Sequence, residues 1–414
     1  MTATLNSIGS EQTSGNRLVR AFESLRDRRY RAWFLSQIFS SSGSMTSAVA
    51  QSWLVLQISG SAVDIALITA LMFLPTLFGG AWAGALADRI DVRRLLLATN
   101  VAFAALAAAQ AVLIATGGIR LWMLFAFSAL NGVVFALDQP ARQVYVFELV
   151  GPARITSAVG LYEVVLNASR ALGPAAGGVL LATAGVAACL LFNALTYVPV
   201  AVLLVRFRVH PARREPARAA PPGHRTRAGL AAVRRDPAIL ACVVLAAVSG
   251  MVFNLGVTTP LFATSVLHLG GGGYGALTAC FGLGALPGAF MAASTHGTPS
   301  PRVVRLLALA TALAVLATSL TPVPAGAFAG MAIVGFCSIW LVATANTLVQ
   351  LAAAPGLRGL VMGIWAMALP GANPLTGLAA GAVAQLSPRA GLGLGGALML
   401  VVAAATWSSL RPRN

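Results

Sequence analysis

The chain reads as an all-α integral membrane protein with twelve transmembrane helices in two six-helix halves. Three observations carry this reading. Hydrophobic residues make up 58% of the 414 positions and charged residues only 9%, whereas a soluble domain carries about a quarter charged. Apolar stretches of about 20 residues, each long enough to cross a hydrocarbon core, recur at 34–57, 62–86, 95–116, 121–146, 157–182, 186–205, 238–262, 274–293, 303–320, 325–349, 359–385 and 390–410. Four Gly-x-x-x-Gly pairs, Gly80/Gly84, Gly173/Gly177, Gly284/Gly288 and Gly377/Gly381, sit in one register. Neighbouring pairs are 93 residues apart within each half, and the halves are offset by 204. Glycine lets membrane helices approach closely, and the equal spacing describes a quarter unit used four times.

In chain order, residues 1–33 form an N-terminal tail with no apolar core and no small-residue cleavage site, so no signal peptide is expected. Within it, Arg17–Arg31 has the composition of a basic amphipathic helix on the inner leaflet. Residues 34–205 make the first half, 206–236 a Pro- and Arg-rich cytoplasmic linker, 237–410 the second half and 411–414 a short tail. The formal charge of +17 comes from 28 arginines and no lysine. With the N-terminus inside, 24 of the 28 fall on cytoplasmic segments and only Arg120 and Arg389 on the opposite loops. That asymmetry places both termini in the cytoplasm of a cell that carries the protein in its plasma membrane. The excess charge is therefore a topology signal, and no aromatic-interleaved basic patch points to nucleic acid. The cysteines, 189, 242, 280 and 337, fall in four separate spans, which gives neither a metal spacing nor a disulfide framework.

Polar residues concentrate in every third span. The first carries Gln37 and Gln51 among many serines, the fourth Asn131, Asp138 and Arg142, the seventh Asn254, and the tenth Trp340 and Asn346. Polar groups in hydrocarbon turn toward protein or a wet cavity, so these four spans are expected to line a cavity. Spans 3, 6, 9 and 12 then face lipid, and the glycine-paired spans 2, 5, 8 and 11 pack helix on helix. Such nested repeats are the plan of a secondary transporter.

The loop after the second span reads Gly84-Ala-Leu-Ala-Asp88-Arg89, followed by Arg93 and Arg94. It resembles the signature loop of the major facilitator superfamily, with Asp91 where many members have glycine. The resemblance implies a cytoplasmic gate at Gly84, Asp88, Arg89 and Arg93, with Asp88 locking one state near the start of span 11. The equivalent loop of the second half keeps Gly288, Arg302 and Arg305 but has no acid. Span 5 carries Gly173-Pro174-x-x-Gly177-Gly178, which resembles the helix-packing motif of the superfamily's drug antiporters. With the Asp138–Gln143 string of span 4, it is similar to the branch that includes the enterobactin exporter and macrolide-efflux proteins, which implies export.

The charges inside the spans are few. Glu163, Asn167 and Arg170 recur at helical spacing on one face of span 5, and Asp138 and Arg142 on one face of span 4. Together they suit either a buried structural network or a proton and substrate site. No Asp or Glu follows Asp236, so a proton-carrying carboxylate would lie in the first half, at Asp138, Glu163 or Asp64. Asp64, at the start of span 2, reads instead as a helix N-cap. The expected function is proton-coupled antiport of a small organic molecule, a siderophore, macrolide or similar compound, by a monomer in the lipid bilayer. No cofactor, metal or enzyme chemistry is expected. A transport-inactive sensor of the same fold and a nutrient importer are the alternatives.

Overall fold

A computed structural model describes residues 23–151, 154–207, 231, 233–294, 299–353, 358–407 and 409; side chains at scattered helical positions, several in α2, α5 and α12, lie outside the description. After a 3₁₀ turn at Glu23–Arg26, thirteen α-helices follow among the described residues. These are α1 Arg28–Ser59, α2 Ala62–Arg89, α3 Val92–Ala115, α4 Leu121–Val150, α5 Ile155–Thr183, α6 Gly185–Arg206, α7 Pro237–Phe253, α8 Leu255–Ser265, α9 Gly271–Ser294, α10 Pro301–Leu320, α11 Pro324–Ala352, α12 Arg358–Leu386 and α13 Pro388–Ala405. The described residues contain no strand.

Eight of these helices have described stretches long and apolar enough to cross a membrane, and α7 with α8 makes a ninth, bent by 42° at Asn254. The chain is thus a multi-pass membrane protein. The first helix is long enough but is diluted by its serines and glutamines, and much of α2 and α12 lies outside the described side chains. The sequence suggested one continuous span at 238–262. The break arises because the N–H of Asn254 reaches back only to Met251 O, while its side chain is drawn to α12.

Helix starts explain where many of the acids and loop serines go. Asp27, Ser61, Asp91, Asp236, Ser300 and Ser387 each accept a hydrogen bond from a backbone N–H of the first helical turn. Such a cap contributes about 1 kcal/mol. Two expectations change here. Ser61, not Asp64, caps α2, because its hydroxyl lies where it accepts from the Asp64 N–H. The described part of Arg17–Arg31 is not one helix, since Asp27 ends the 3₁₀ turn and starts α1. Residues 1–22 and nearly all of the linker lie outside the described part.

The helices before residue 207 pack with one another, chiefly α1 on α5 and α6, α2 on α4, and α3 on α6. Those after 236 repeat the pattern, with α9 on α11, α10 on α11 and α13, and α12 on α7. Glycines set these approaches. A methyl group on Gly132 of α4 would strike the Met72 carbonyl of α2, and one on Gly335 of α11 would strike the Phe281 carbonyl of α9. Gly173 and Gly177 lie against Ser42–Thr46 of α1, and Gly284 and Gly288 against Ala332 and Phe336 of α11. Gly80 and Gly84 lie outside the described side chains.

Two seams join the groups, α5 on α9 and α2 on α12. At the end opposite the chain termini they are closed. The backbones of Gly178 and Gly275 touch, the Gln385 carboxamide accepts from Ala62 N at 2.9 Å and donates to Gly60 O, and Trp53 stacks on Tyr274 at 6.3 Å. Val257 is buried there among Leu54, Val55, Ile65 and Leu124. At the terminal end, among the described residues, the buried cluster of Tyr30, Trp33, Leu96, Tyr145 and Leu204 comes from the first six helices.

Candidate functional site

Asp138 lies in the C-terminal half of α4 and is 1% exposed. A carboxylate there needs partners for both oxygens, and it has them. Thr99 Oγ1 of α3 donates to Oδ1 at 2.8 Å, and Arg142, one turn on, donates to Oδ2 from Nε at 3.0 Å and Nη2 at 2.5 Å. Tyr162 of α5 and Tyr197 of α6 lie within electrostatic reach of Arg142. The Tyr197 hydroxyl meets Ser44 of α1 at 3.0 Å, and its ring stacks on Phe103. This polar node is therefore built from α1, α3, α4, α5 and α6.

Glu163 and Asn167 lie on α5 at spacings of seven and three residues before Arg170, but their side chains fall outside the described set. Arg170 is half-buried near the middle of α5, and its guanidinium lies 5.9 Å from the ring of Phe253 on α7. It thus reaches the face where the two helix groups meet, while Asp138 and Arg142 are packed toward α3 and α6.

The polar residues expected to line a cavity divide three ways. Gln37 is 2% exposed, and neither amide atom has a hydrogen-bond partner. Gln51 donates to Gln110 of α3 at 3.0 Å. Asn254 donates to Asn373 O at 3.2 Å and to Thr376 Oγ1 at 3.0 Å, so it ties the α7–α8 break to α12. Trp340 packs edge-on to Phe336 with its indole nitrogen buried and unpartnered. Asn346 accepts from Gln350 on its own helix at 3.2 Å.

At the expected gate, Gly84, Asp88 and Arg89 close the C-terminal end of α2, with their side chains outside the described set. Asp91 caps α3 through the N–H groups of Arg93 and Arg94, which accounts for an acid where the family pattern has glycine. Arg93 donates to the carbonyls of Leu204 and Val205. It therefore clamps the C-terminus of α6, where cations are favoured. Arg305 of α10 stacks on Trp407 at 3.8 Å in the corresponding place of the second group. Pro174, like Gly173, Gly177 and Gly178, is buried in α5.

Sequence reasoning missed several partners. Thr99, Tyr197 and Gln385 gave no signal because each matters through a contact made across helices. Gly132 and Gly335 did carry one, since they are 203 residues apart, one short of the repeat step. Among the described residues no cluster of metal-ligating side chains occurs. Chemically, the arrangement offers charge, amide and aromatic contacts within apolar helices.

Comparison with known proteins bears on what such an arrangement does. The sequence family described as "Transmembrane secretion effector", within the major facilitator superfamily, matches residues 19–413. The staphyloferrin A transporter of Staphylococcus aureus is 29% identical over 173 residues, 42% of this chain and 43% of that protein. The multidrug efflux pump Tap of Mycobacterium tuberculosis is 31% identical over 153 residues, 36% of each. The matched region thus spans less than half the length of these relatives. Two solved structures share the fold. A bacterial homologue of the human lysosomal transporter Spinster, inward-facing and occupied, gives a TM-score of 0.71 at 14% identity, covering 92% of this chain and 96% of that one. A bacterial homologue of the iron transporter ferroportin, inward-facing, gives 0.68 at 16%, covering 93% and 99%.

Proposed function

The chain belongs to the transmembrane secretion effector family of the major facilitator superfamily, a family of membrane transporters and not of enzymes, and from that premise we propose that it exports a small organic compound in exchange for protons. The observation that carries this reading is the closure of both seams at one end. Neutral contacts seal the α5–α9 and α2–α12 seams at the end away from the termini. That is the form expected of one of two alternating-access states. In this reading α7 and α8 are one bent span, α1 is polar because it lines the path, and α2 and α12 complete twelve spans. Residues 34–205 and 237–410 are the two halves, joined by the linker 206–236. Both termini are cytoplasmic, and the protein works as a monomer in the plasma membrane.

Transport then consists of opening the sealed end while the terminal end closes, with Asp88 as the inner lock. Asp138 is occupied by Arg142 and Thr99, which gives it a structural role and leaves Glu163 as the proton carrier. The relatives' names point to a siderophore or a drug-like molecule as cargo. The test uses everted vesicles energised to an acid interior, with a dye reporting proton release as siderophores and macrolides are added. At least one compound should release protons from wild-type vesicles and fail to do so with Glu163→Gln at equal protein level. Release by neither protein with every compound contradicts proton-coupled export, and equal release by both removes Glu163 from the mechanism.

A further inference from the structure

The charges of the spans are distributed unevenly, and the position of Arg170 gives that distribution a use. From residue 237 to the end the chain has no Asp or Glu, and its arginines, 302, 305, 358, 389, 411 and 413, lie at helix ends or beyond them. The walls contributed by the second helix group therefore carry no negative charge at any depth. Arg170 is 15 residues from the start of α5 and 13 from its end, about 20 Å from either. Its guanidinium reaches Phe253 on the second group. That ring sits one residue before the Asn254 break and packs edge-on to Phe281 of α9 at 6.0 Å. At the same depth, Ser169 donates to Ile38 O of α1. The preceding residue there is Gln37, whose buried amide has no partner. A cation beside aromatic rings and a spare amide, facing a wall with no acid, complements an organic anion with an apolar body.

We propose that Arg170 reads the negative group of the cargo, and that the cargo is an amphipathic organic anion whose apolar part lies along Phe253 and Phe281. This rests on the reading of the chain as an exporter and names the chemical class it carries. A guanidinium in a site of low dielectric is suited to a carboxylate, sulfonate or phenolate, which it can hold by charge-assisted hydrogen bonds. A cationic cargo would meet no counter-charge from the second half. Glu163, on the same helix, serves the proton in this scheme.

The test compares two fluorescent amphiphiles that differ in charge, anilinonaphthalene sulfonate and neutral phenylnaphthylamine. Each is titrated against the full-length protein in nanodiscs, with empty nanodiscs as the blank. The sulfonate should bind about tenfold or more tightly than the neutral compound, as expected for a hydrogen-bonded charge. Arg170→Gln should remove about that factor for the sulfonate and leave the neutral compound unchanged, and Arg170→Lys should retain part of the preference. Equal binding of the two by wild type, or loss of both in Arg170→Gln, overturns the proposal. If Arg170→Gln does not fold, the wild-type preference and the Lys variant decide. Proteoliposomes with an imposed pH gradient separate this from the parent reading. Gradient-driven movement of phenylnaphthylamine with neither binding nor movement of the sulfonate leaves export standing and sinks the anion site. Arg170-dependent sulfonate binding with no movement of either compound supports the anion site and sinks export.

Discussion

Gly178→Ala is the sharpest perturbation of the closed seam. A Cβ at Gly178 would lie 3.0 Å from the Cα and carbonyl carbon of Gly275 and 3.2 Å from Ala276 N. All three are backbone atoms, so no side-chain rotation relieves the contact, and α5 and α9 must part. Overpacking of this kind costs about 1–3 kcal/mol. The higher helix propensity of alanine acts in every state that keeps α5 helical, so it cancels between open and closed forms. The clash acts only when this end is shut. A shift of that size changes the ratio of the two forms about 5- to 150-fold. Spin labels at Ile58, near the end of α1, and Leu386, at the end of α12, 42% and 89% exposed and on opposite helix groups at the closed end, would report it in a background with the four cysteines replaced. The ratio of short-distance to long-distance populations should fall by that factor in Gly178→Ala. Gly270→Ala, where nothing lies within 4 Å of the added methyl group, should match wild type. A Gly178→Ala distribution identical to that of Gly270→Ala refutes the account of closure.

Two further outcomes follow from the polar groups. Asp138→Asn strands the Arg142 guanidinium, whose side chain is only 13% exposed, and should destabilise the protein by about 3–5 kcal/mol. Thermal unfolding in detergent should show Asp138→Asn/Arg142→Gln less damaged than the sum of the single variants, and strict additivity would mean the two do not act as a unit. Asp88→Asn should slow turnover in vesicles without changing expression, because one of the alternating states loses its inner lock. An unchanged rate removes Asp88 from that role.

Much of the architecture was legible because bilayer physics writes it in composition. The apolar stretches follow from a single strong cost, and the observed helices begin and end near them. The break at Asn254 was not legible, since it depends on Asn373 and Thr376, more than a hundred residues away. Asp138 and Arg142 were found as a pair from their i, i+4 spacing, but Thr99 was invisible as the partner of the second carboxylate oxygen. Arg93 carried a family role at the gate, while in the structure its guanidinium is spent on the carbonyls that end α6. A guanidinium's partner depends on which helix end packs beside it, and one chain's sequence does not encode that locally. The seal opposite the termini escaped for the same reason. Gly178 was marked as a packing residue but its partner was not, and Gly275 and Gln385 are ordinary residues until α5 meets α9 and α12 meets α2.

Export is tested most directly by mass spectrometry of cells and spent medium from a strain lacking the gene, its parent and the complemented strain. A small organic compound should accumulate inside the deletion strain and be depleted from its medium, with both changes reversed by the wild-type gene and not by the Glu163→Gln variant. A compound depleted inside and enriched outside would contradict it by showing import, and an identical distribution in all three strains would contradict export of any compound those cells make.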